Sequence, residues 1–436
     1  SLALRMAHLT RTVPWELLAA GTRRVEHALL AAAAAVFRMP AAVPGEVGQA
    51  PLRALEQLML PLRHGGFGLR ATSALEADAA LVASSAQAQR ALAAGAAACR
   101  PFEGAARPAV LAAWQRVHDG AAGEFEWDAA SRDPSAEFVA RELPGLQSRV
   151  SRFVGDRDGA AFLEACDLGC ESGRRDAARM RSAAGGVATA YLAGPPGGAE
   201  TRLSSAAFVL AGRHQLGLAP CADVPPPPCL CGGGNAGGPD HAMACKCASG
   251  ERTMRHNIVV SAGRRVLLKA CCPTSVEPPY SGLGGGGDAG QRRGDIFTIK
   301  PDGSVVVIDV VVTHPAAASY ADAASKRNGW AAARAEAEKR REFEAMGVGG
   351  GYEFVPFAVE SFGRLGVAAS RFLSGLGGLA AADGRVSKAQ FVRNAKRELS
   401  VALCRGNALA YQSSMGTIVR ARGRAYQPPL AVSTAG

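Results

Sequence analysis

A chain of 436 residues exceeds the size at which a single hydrophobic core stops growing, so more than one domain is expected. Its hydrophobic fraction of 48% is sufficient for cores, but much of it is alanine, which favours helical layers with small side chains. A formal charge of +11 favours a polyanionic partner, because clustered Lys and Arg gain affinity for phosphates by releasing counterions. No apolar run is long enough to cross a bilayer, so no membrane association is expected.

The first half of the chain is predicted to be helical. Apolar residues recur at helical spacing through residues 1–40, and a second helical unit covers residues 51–60. The glycines of "PLRHGGFGLR", residues 61–70, interrupt the helices with a tight loop, and alanine-rich helices follow to about residue 217. The prolines of "VPPPPC", residues 224–229, then mark the clearest domain boundary.

The second half mixes strands and helices. "DIFTIKPDGSVVVIDVVVT", residues 295–313, is rich in β-branched residues around a Pro-Asp-Gly turn, which predicts a β-hairpin. A long helix is predicted from 319 to 346, and "YEFVPFAVESF", 352–362, is typical of a buried strand followed by further helices. The predicted class is therefore α+β and multidomain.

The chain has eleven cysteines, an odd number, and five of them lie within residues 221–247. A disulfide framework would spread its cysteines along the chain, and no secretory leader pattern is evident at the start. Both features predict a reducing compartment and metal binding by the clustered cysteines.

A zinc site is predicted from the spacing C-x-C-x9-H-x3-C, because thiolate and imidazole ligands suit tetrahedral zinc. The glycines between the two halves let a short chain wrap around an ion. Four protein ligands would leave no position for a catalytic water, so this zinc is expected to be structural. Either Cys221 or Cys247 could replace one ligand. The predicted ligands are Cys229, Cys231, His241 and Cys245.

The hairpin places two carboxylates opposite each other. In "KPDGS" the proline and glycine positions indicate a type I turn closed by a glycine bulge, which pairs Lys300 with Ser304. Counting back along both strands, Asp295 falls opposite Asp309, with β-carbons about 4.5–5.5 Å apart.

Two like charges at this spacing destabilise the strand pair, and Asp309 interrupts a run of valines that is apolar enough to be buried. A Mg²⁺ or Mn²⁺ ion bridged by both carboxylates would offset that repulsion and would also serve phosphodiester hydrolysis. Two alternatives stay open. Asp309 could instead pair with Arg292 or Arg293, and a one-residue register slip would send the carboxylates to opposite faces.

This order of Asp, hairpin, Asp and basic helix resembles the restriction-like nuclease fold, usually described by a Pro-Asp and an Asp/Glu-x-Lys pattern. Gly294 stands at the usual proline, and Val311 stands where the strand lysine is expected. The resemblance implies an α/β core with a mixed sheet.

An ordered set of motifs is similar to one family, the C-terminal half of the polyprotein of non-LTR retrotransposons that carry a restriction-like endonuclease. Upstream, "HLTRTVPW" and "LPLRHGGFGLR" resemble its polymerase thumb and linker. The downstream motifs are "CLCGGGNAGGPDHAMAC", "RHN", "RRGDI", "DVVVTHP", "EKRREF" and "FVPFAVESFGRLG".

The resemblance implies five parts. They are thumb-like helices at 1–60, a helical linker at 61–223, a CCHC zinc knuckle at 224–250, the restriction-like endonuclease at 251–375 and a helical tail at 376–436. No polymerase catalytic centre is evident, since "SYADAAS" has Ala323 at the second aspartate of the Tyr-x-Asp-Asp turn.

In this family a catalytic lysine comes from the helix after the second acidic strand, in a Lys-x-x-Lys-Tyr-like pattern. Lys339 matches its first lysine, whereas Glu342 and Phe343 replace the second lysine and the tyrosine. Lys326 is the other candidate. On one continuous helix, thirteen residues correspond to about 220°, so the two lysines could not both face the acidic pair.

The implied function is nicking of a DNA target in the nucleus to prime reverse transcription, with element RNA as a further partner. Asp295 and Asp309 would bind Mg²⁺ or Mn²⁺, and the residues expected to contact DNA are Arg255, His256, Arg292 and Arg293. For His256, a position near the metal or a buried, hydrogen-bonded position also stays open. An alternative is an inactive, zinc-containing nucleic-acid-binding remnant, which the departures at Gly294, Val311 and Glu342 would fit. A recombination nuclease is disfavoured by "LPLRHGGFGLR".

Overall fold

The computed structural model describes most of the chain, in several segments. They are residues 11, 13–39, 49–69, 72–93, 107–121, 145–194, 197–220, 229, 231, 238–245, 249–276, 294–346, 351–384 and 386–422. The chain divides into two compact units. The first comprises residues 1–33, 59–61 and 68–162, and the second comprises residues 34–58, 62–67 and 163–436. The five-part division stays a prediction.

The fold is α+β, as predicted, with helices throughout and one four-stranded sheet in the second unit. None of the helices in the described segments is both long and apolar enough to cross a membrane. The helices are α1 (Trp15–Val36), α2 (Gln49–Met59), α3 (Ala74–Ala93), α4 (Arg107–Gly120), α5 (Leu146–Glu164), α6 (Glu171–Ala183), α7 (Ser205–Gln215), α8 (His241–Ala244), α9 (Ser249–Lys269), α10 (Ala321–Lys326), α11 (Trp330–Ala345), α12 (Val367–Ala382) and α13 (Lys388–Arg422). The strands are β1 (Thr274–Val276), β2 (Ile296–Ile299), β3 (Val305–Thr313) and β4 (Tyr352–Glu360).

The first unit is helical, and α3, α4 and α5 share a core around Trp114 and Val150. Because alanine covers little apolar area, these helices approach closely through small residues such as Ala79 and Ala113, both fully buried. Asp78 is buried in this core and accepts two hydrogen bonds from Arg116, at 2.7 and 2.8 Å. A buried carboxylate needs such a partner to offset its lost hydration.

The second unit is organised around the sheet, whose strand order is β1-β2-β3-β4. Strands β1, β2 and β3 pair antiparallel, and β4 runs parallel to β3. The predicted hairpin and the predicted buried strand at 352–362 are thus confirmed. The valine-rich β3 lies in the middle of the sheet, which explains why it is apolar on both faces.

Side chains alternate between the two faces of the sheet. Ile308 and Val310 point into the main core, which α9, α12 and α13 cover. Val307 points the other way and packs with Phe343 of α11 and Phe354 of β4. Asp309 has the same parity as Val307, so its side chain faces the α11 side of the sheet.

The predicted helix from 319 to 346 is two helices, α10 and α11, separated at Arg327–Gly329. Gly329 has a φ of 69°, a left-handed conformation that glycine adopts without strain. The expected angular relation between Lys326 and Lys339 was therefore wrong, because it assumed one continuous helix.

Residue 376, where the sequence places the start of a tail, lies inside α12. Phe372 and Leu376 of α12 and Leu399 and Leu403 of α13 are buried in the same core as the sheet. These two helices are therefore structural parts of the second unit. Their apolar stripes cover the sheet and α9, and α13 also packs against α7 and α8.

The glycine-rich loop predicted at 61–70 is a tight turn held by buried polar groups. The Gly65 carbonyl accepts hydrogen bonds from Gln57 Nε2 at 2.9 Å and from Gln215 Nε2 at 3.0 Å. Gly65 has a φ of 80°, and a β-carbon there would lie 2.7 Å from the Ala183 side chain. Glycine is needed here for both backbone angle and space.

Two glycines of the α12 region provide a matched test of packing. A β-carbon at Gly366 would lie 1.9 Å from Glu336 Oε1, which accepts a hydrogen bond from the Ala368 backbone N–H at the start of α12. We expect Gly366→Ala to lower the free energy of unfolding by about 1–3 kcal/mol. Gly378 has open space around it, so Gly378→Ala should instead add about 0.5–1 kcal/mol of helix propensity. Urea unfolding of both variants measures the difference, and equal stabilities would contradict the capping role of Glu336.

Candidate functional site

The acidic hairpin has the predicted register. Ile296 pairs with Ile308, and the Lys300 backbone N–H donates to the Ser304 carbonyl at 2.9 Å across the turn. Gly303 takes a φ of 82° as the glycine of the bulge. Continuing this register by one residue sets Asp295 opposite Asp309.

Asp295 and Asp309 are partly buried, with side chains 19% and 14% exposed, and they interact by a side-chain hydrogen bond. Burial, reinforced by the Asp295 charge, raises the pKa of Asp309 to about 6, although Lys339 opposes the shift. Burial also acts to raise the pKa of Asp295, but hydrogen bonds from His256 and the Val310 backbone outweigh it, so that this pKa lies below its ordinary value. Two neighbouring carboxyls with pKa values displaced in opposite directions are typical of sites that do acid–base or cation chemistry.

Lys339, in the third turn of α11, reaches the acidic pair. Its Nζ lies 3.1 Å from Asp309 Oδ2 and 3.5 Å from Glu342 Oε2. Burial acts to lower the pKa of Lys339, but the Asp309 charge outweighs it and the net pKa is raised, so the amine is a cation at neutral pH. The other candidate, Lys326, is 60% exposed and pairs with Asp322 at 2.9 Å in the preceding turn of α10.

His256, on α9, contacts the acidic pair from the other side of the sheet. Its Nε2 lies 3.1 Å from Asp295 Oδ2 and 3.0 Å from the Val310 carbonyl oxygen. Burial would lower the pKa of His256, but the hydrogen bond and charge of Asp295 raise it to about 9. The sequence left three roles open for this histidine, a DNA contact, a position near the metal or a buried hydrogen-bonded group. It did not identify Asp295 as the partner, because nothing in the sequence relates α9 to the start of β2.

Arg255, the neighbouring residue, is an interior group. It is 3% exposed, and its Nη1 lies 3.2 Å from Met243 Sδ and 3.4 Å from Asn407 Oδ1. Burial lowers the pKa of its guanidinium to about 10. The DNA contact predicted for Arg255 stays a prediction, and its side chain is packed in the interior of this structure. Arg292 and Arg293 lie outside the described residues, so the pairing and DNA contacts predicted for them stay predictions.

The Cys/His cluster has the dimensions of a metal site. The ligand atoms of Cys229, Cys231, His241 and Cys245 all lie within 4.8 Å of one another. The Sγ atoms of Cys229 and Cys245 are 3.5 Å apart, as are Cys231 Sγ and His241 Nε2. Atoms bound tetrahedrally to one zinc ion lie about 3.5–3.8 Å apart, given bond lengths near 2.0–2.3 Å. The cluster can hold a metal ion such as zinc, whereas the alternatives Cys221 and Cys247 lie outside the described residues.

The local fold explains how the ligands meet. His241 and Cys245 are four residues apart around the single turn of α8, so both face the same side. A hydrogen bond with the Cys231 backbone lowers the pKa of Cys229 to about 6, with a smaller contribution from His241. A lowered thiol pKa favours the thiolate, which is the form that binds metal.

The segment around this cluster packs against helices of the second unit, to which it belongs. Met243 of α8 is buried against Leu210 of α7 and Tyr411 of α13, and the Tyr411 hydroxyl donates to the Pro239 carbonyl at 2.8 Å. Asp240 Oδ1 lies 3.2 Å from Nε2 of His314, the residue that follows β3. The metal cluster and the acidic strand are therefore connected through one buried polar contact.

Two further buried carboxylates, Glu336 and Glu360, are not part of the acidic pair. Glu360 accepts a hydrogen bond from the Ala332 backbone N–H at the start of α11, just as Glu336 does at the start of α12. Burial raises the pKa of both groups. Acidic side chains at helix starts are common caps, so a structural role accounts for both.

Comparison of the chain with known protein families and with curated proteins finds no match. The resemblance to a retrotransposon polyprotein stays a prediction from the sequence motifs.

Proposed function

We propose that this protein is a metal-dependent DNA endonuclease module of a retrotransposon protein, which nicks target DNA to prime reverse transcription. The acidic pair would bind Mg²⁺ or Mn²⁺, and the basic chain would hold DNA and, in the complete element protein, element RNA. Nuclear residence follows from the substrate. The observation that carries the proposal is the convergence of Asp295, Asp309 and the Lys339 amine at the centre of a mixed sheet.

Each group has a chemical role in phosphodiester hydrolysis. When bound by the two carboxylates, a divalent cation would supply Lewis-acid stabilisation and lower the pKa of water. The Lys339 ammonium would stabilise the negative charge that develops on the phosphate and hold the attacking water beside Asp309. Such fixed charges favour cleavage because they already face the developing charge, whereas water must reorient at a cost in free energy.

Lys339 could replace the strand lysine of the restriction-like pattern, which this chain lacks. That pattern takes its lysine from the strand two residues after the second acid, where this chain has Val311. The amine on α11 instead reaches Asp309 Oδ2 from the adjacent helix, at 3.1 Å. The absence of a strand lysine is therefore not a reason to assign an inactive site.

Nicking of supercoiled plasmid by the purified chain tests the proposal. We expect open-circle product with Mg²⁺ or Mn²⁺ and none with EDTA, and we expect DNA binding to persist in Ca²⁺. A matched control replaces both carboxylates, Asp295→Asn with Asp309→Asn. Metal-dependent nicking by the parent chain and not by the double variant supports the endonuclease.

The second candidate is a nucleic-acid-binding remnant without cleavage. Gly294 at the usual proline and Glu342 at the second family lysine favour it, and Glu342 Oε2 lies 3.5 Å from the Lys339 amine, whose charge it partly neutralises. A remnant would bind DNA with strong salt dependence yet release no nicked product at any metal concentration. That result would replace the endonuclease proposal with the remnant.

We further propose that the Cys/His cluster binds a structural zinc ion. Four protein ligands fill a tetrahedral shell, so the ion would organise residues 229–245 against α7 and α13. Zinc binding releases the thiol protons and contributes directly to folding of a segment with few apolar residues of its own.

Zinc content provides the next prediction. We expect the purified chain to carry about one zinc ion, and Cys231→Ser to lose it and melt at a lower temperature, since a three-ligand shell binds zinc weakly. Cys271→Ser is the matched control because Cys271 is exposed and outside the cluster. Elemental analysis and thermal unfolding measure both effects. Full zinc retention by Cys231→Ser would contradict the ligand assignment.

A further inference from the structure

His256 lies beside the acidic pair but has no role in the hydrolysis proposed above. It lies on α9 and approaches the acidic pair from the face of the sheet opposite to α11. Its Nε2 is within hydrogen-bond distance of two acceptors, Asp295 Oδ2 at 3.1 Å and the Val310 carbonyl at 3.0 Å. A carboxylate oxygen and a carbonyl oxygen both accept hydrogen bonds, so Nε2 carries the proton and is the donor.

Asp295 needs an external group to hold it. It precedes β2 and lies beyond the last strand pair, Ile296 with Ile308, so strand pairing does not restrain its side chain. The Val310 backbone N–H donates to Asp295 Oδ2 at 2.6 Å, and His256 donates to the same oxygen. Two donors on one oxygen restrict rotation of the carboxylate.

His256 also connects three elements at this point. It links α9 to the start of β2 through Asp295, and to β3 through the carbonyl of the residue after Asp309. Its other ring nitrogen, Nδ1, lies 3.1 Å from Asn257 Oδ1, so both nitrogens are engaged and the side chain is only 29% exposed. Such a histidine is poorly placed to contact a DNA phosphate.

We propose that His256 is a positioning residue for the metal site, which holds Asp295 in the orientation that lets both carboxylates bind one cation. The inference rests on the proposed endonuclease function. Of the roles that the sequence left open for His256, it develops the position near the metal in place of the DNA contact. Partners that orient a metal ligand commonly change metal affinity by about 10–100-fold when they are removed.

Mn²⁺ binding, measured by electron paramagnetic resonance without DNA, tests this role directly. We expect His256→Ala to weaken Mn²⁺ binding at least about tenfold, and His256→Gln to restore most of it, because the glutamine amide can donate to Asp295. Ser261→Ala, an exposed position further along α9, is the matched control and should bind Mn²⁺ like the parent chain.

The kinetic prediction separates positioning from the other roles. In His256→Ala the Mn²⁺ concentration for half-maximal nicking should rise about tenfold or more, whereas the rate at saturating Mn²⁺ and the Kd for DNA should change less than about threefold. Unchanged Mn²⁺ binding in His256→Ala, or weaker DNA binding with normal Mn²⁺ binding, would overturn the proposal. So would a lowered melting temperature with no rescue by glutamine, which indicates a role in stability alone.

Mn²⁺ binding and nicking by the parent chain separate failure of the endonuclease proposal from failure of the positioning role. A parent that neither binds Mn²⁺ nor nicks DNA refutes the endonuclease. The parent chain could instead bind Mn²⁺ with an affinity that Asp295→Asn lowers but His256→Ala leaves unchanged. That result would refute the positioning role only.

Discussion

Replacing Asp309 by asparagine should reduce plasmid nicking by roughly a thousandfold. The substitution removes a ligand charge from the acidic pair, and the loss of about 4 kcal/mol of transition-state stabilisation corresponds to that factor. The amide has nearly the same shape as the carboxyl, so packing in the centre of β3 should be preserved. Single-turnover nicking at saturating Mg²⁺ measures the rate.

The matched control for this variant is Asp302→Asn. Asp302 lies in the turn of the same hairpin, where it accepts hydrogen bonds from Ser304, and an asparagine side chain can still accept them. Asp302→Asn changes the net charge by the same amount as Asp309→Asn. Because it leaves the acidic pair intact, this variant should bind and nick DNA like the parent chain. The Kd for DNA should change less than about twofold in either variant, because binding depends on many phosphate contacts. Nicking by Asp309→Asn within tenfold of the parent would place the catalytic site elsewhere.

Replacing Lys339 by methionine should lower the nicking rate by about 100- to 1000-fold, the usual effect of removing one charged group that stabilises a transition state. Methionine retains most of the aliphatic stem, so the packing of α11 on the sheet is kept. The Lys339 amine forms an ion pair with Asp309, and its loss removes the positive charge of that pair. The same plasmid assay with saturating metal measures the change.

Lys326→Met is the paired experiment, because the family resemblance left both lysines as candidates. Lys326 is exposed and pairs with Asp322 within α10, an interaction that contributes little to stability or catalysis. The rate of Lys326→Met should therefore stay within about twofold of the parent. A large loss in Lys326→Met together with a small loss in Lys339→Met would reverse the assignment.

The acidic pair and the metal cluster could be predicted from the sequence because both depend on local spacing. The Pro-Asp-Gly turn sets the pairing of Lys300 with Ser304, and the two-residue period of a strand then carries the register back to Asp295 and Asp309. The four metal ligands are close in sequence, and no distant part of the chain has to supply one. They are Cys229 and Cys231, followed by His241 and Cys245 one helical turn apart.

The position of the lysine beside the acidic pair depended on packing. A left-handed glycine, Gly329, divides the predicted long helix, and its second half lies across the sheet where Lys339 meets Asp309. Helical periodicity shows which residues share a face, but not where a helix breaks or which surface of a sheet it covers. The choice between two lysines therefore needed the tertiary structure.

Arg255 and His256 show the same limit at neighbouring positions. Adjacent helical residues point about 100° apart, so Arg255 enters the interior beside Asn407 while His256 reaches Asp295. Both contacts join residues far apart in the chain, and either residue could have served a surface role by its chemistry alone. The sequence by itself determined the hairpin register and the metal-ligand spacing, because local turn geometry and ligand chemistry dictate them. Only the tertiary structure decided which lysine and which histidine complete the acidic site, because those contacts depend on how separate helices pack on the sheet.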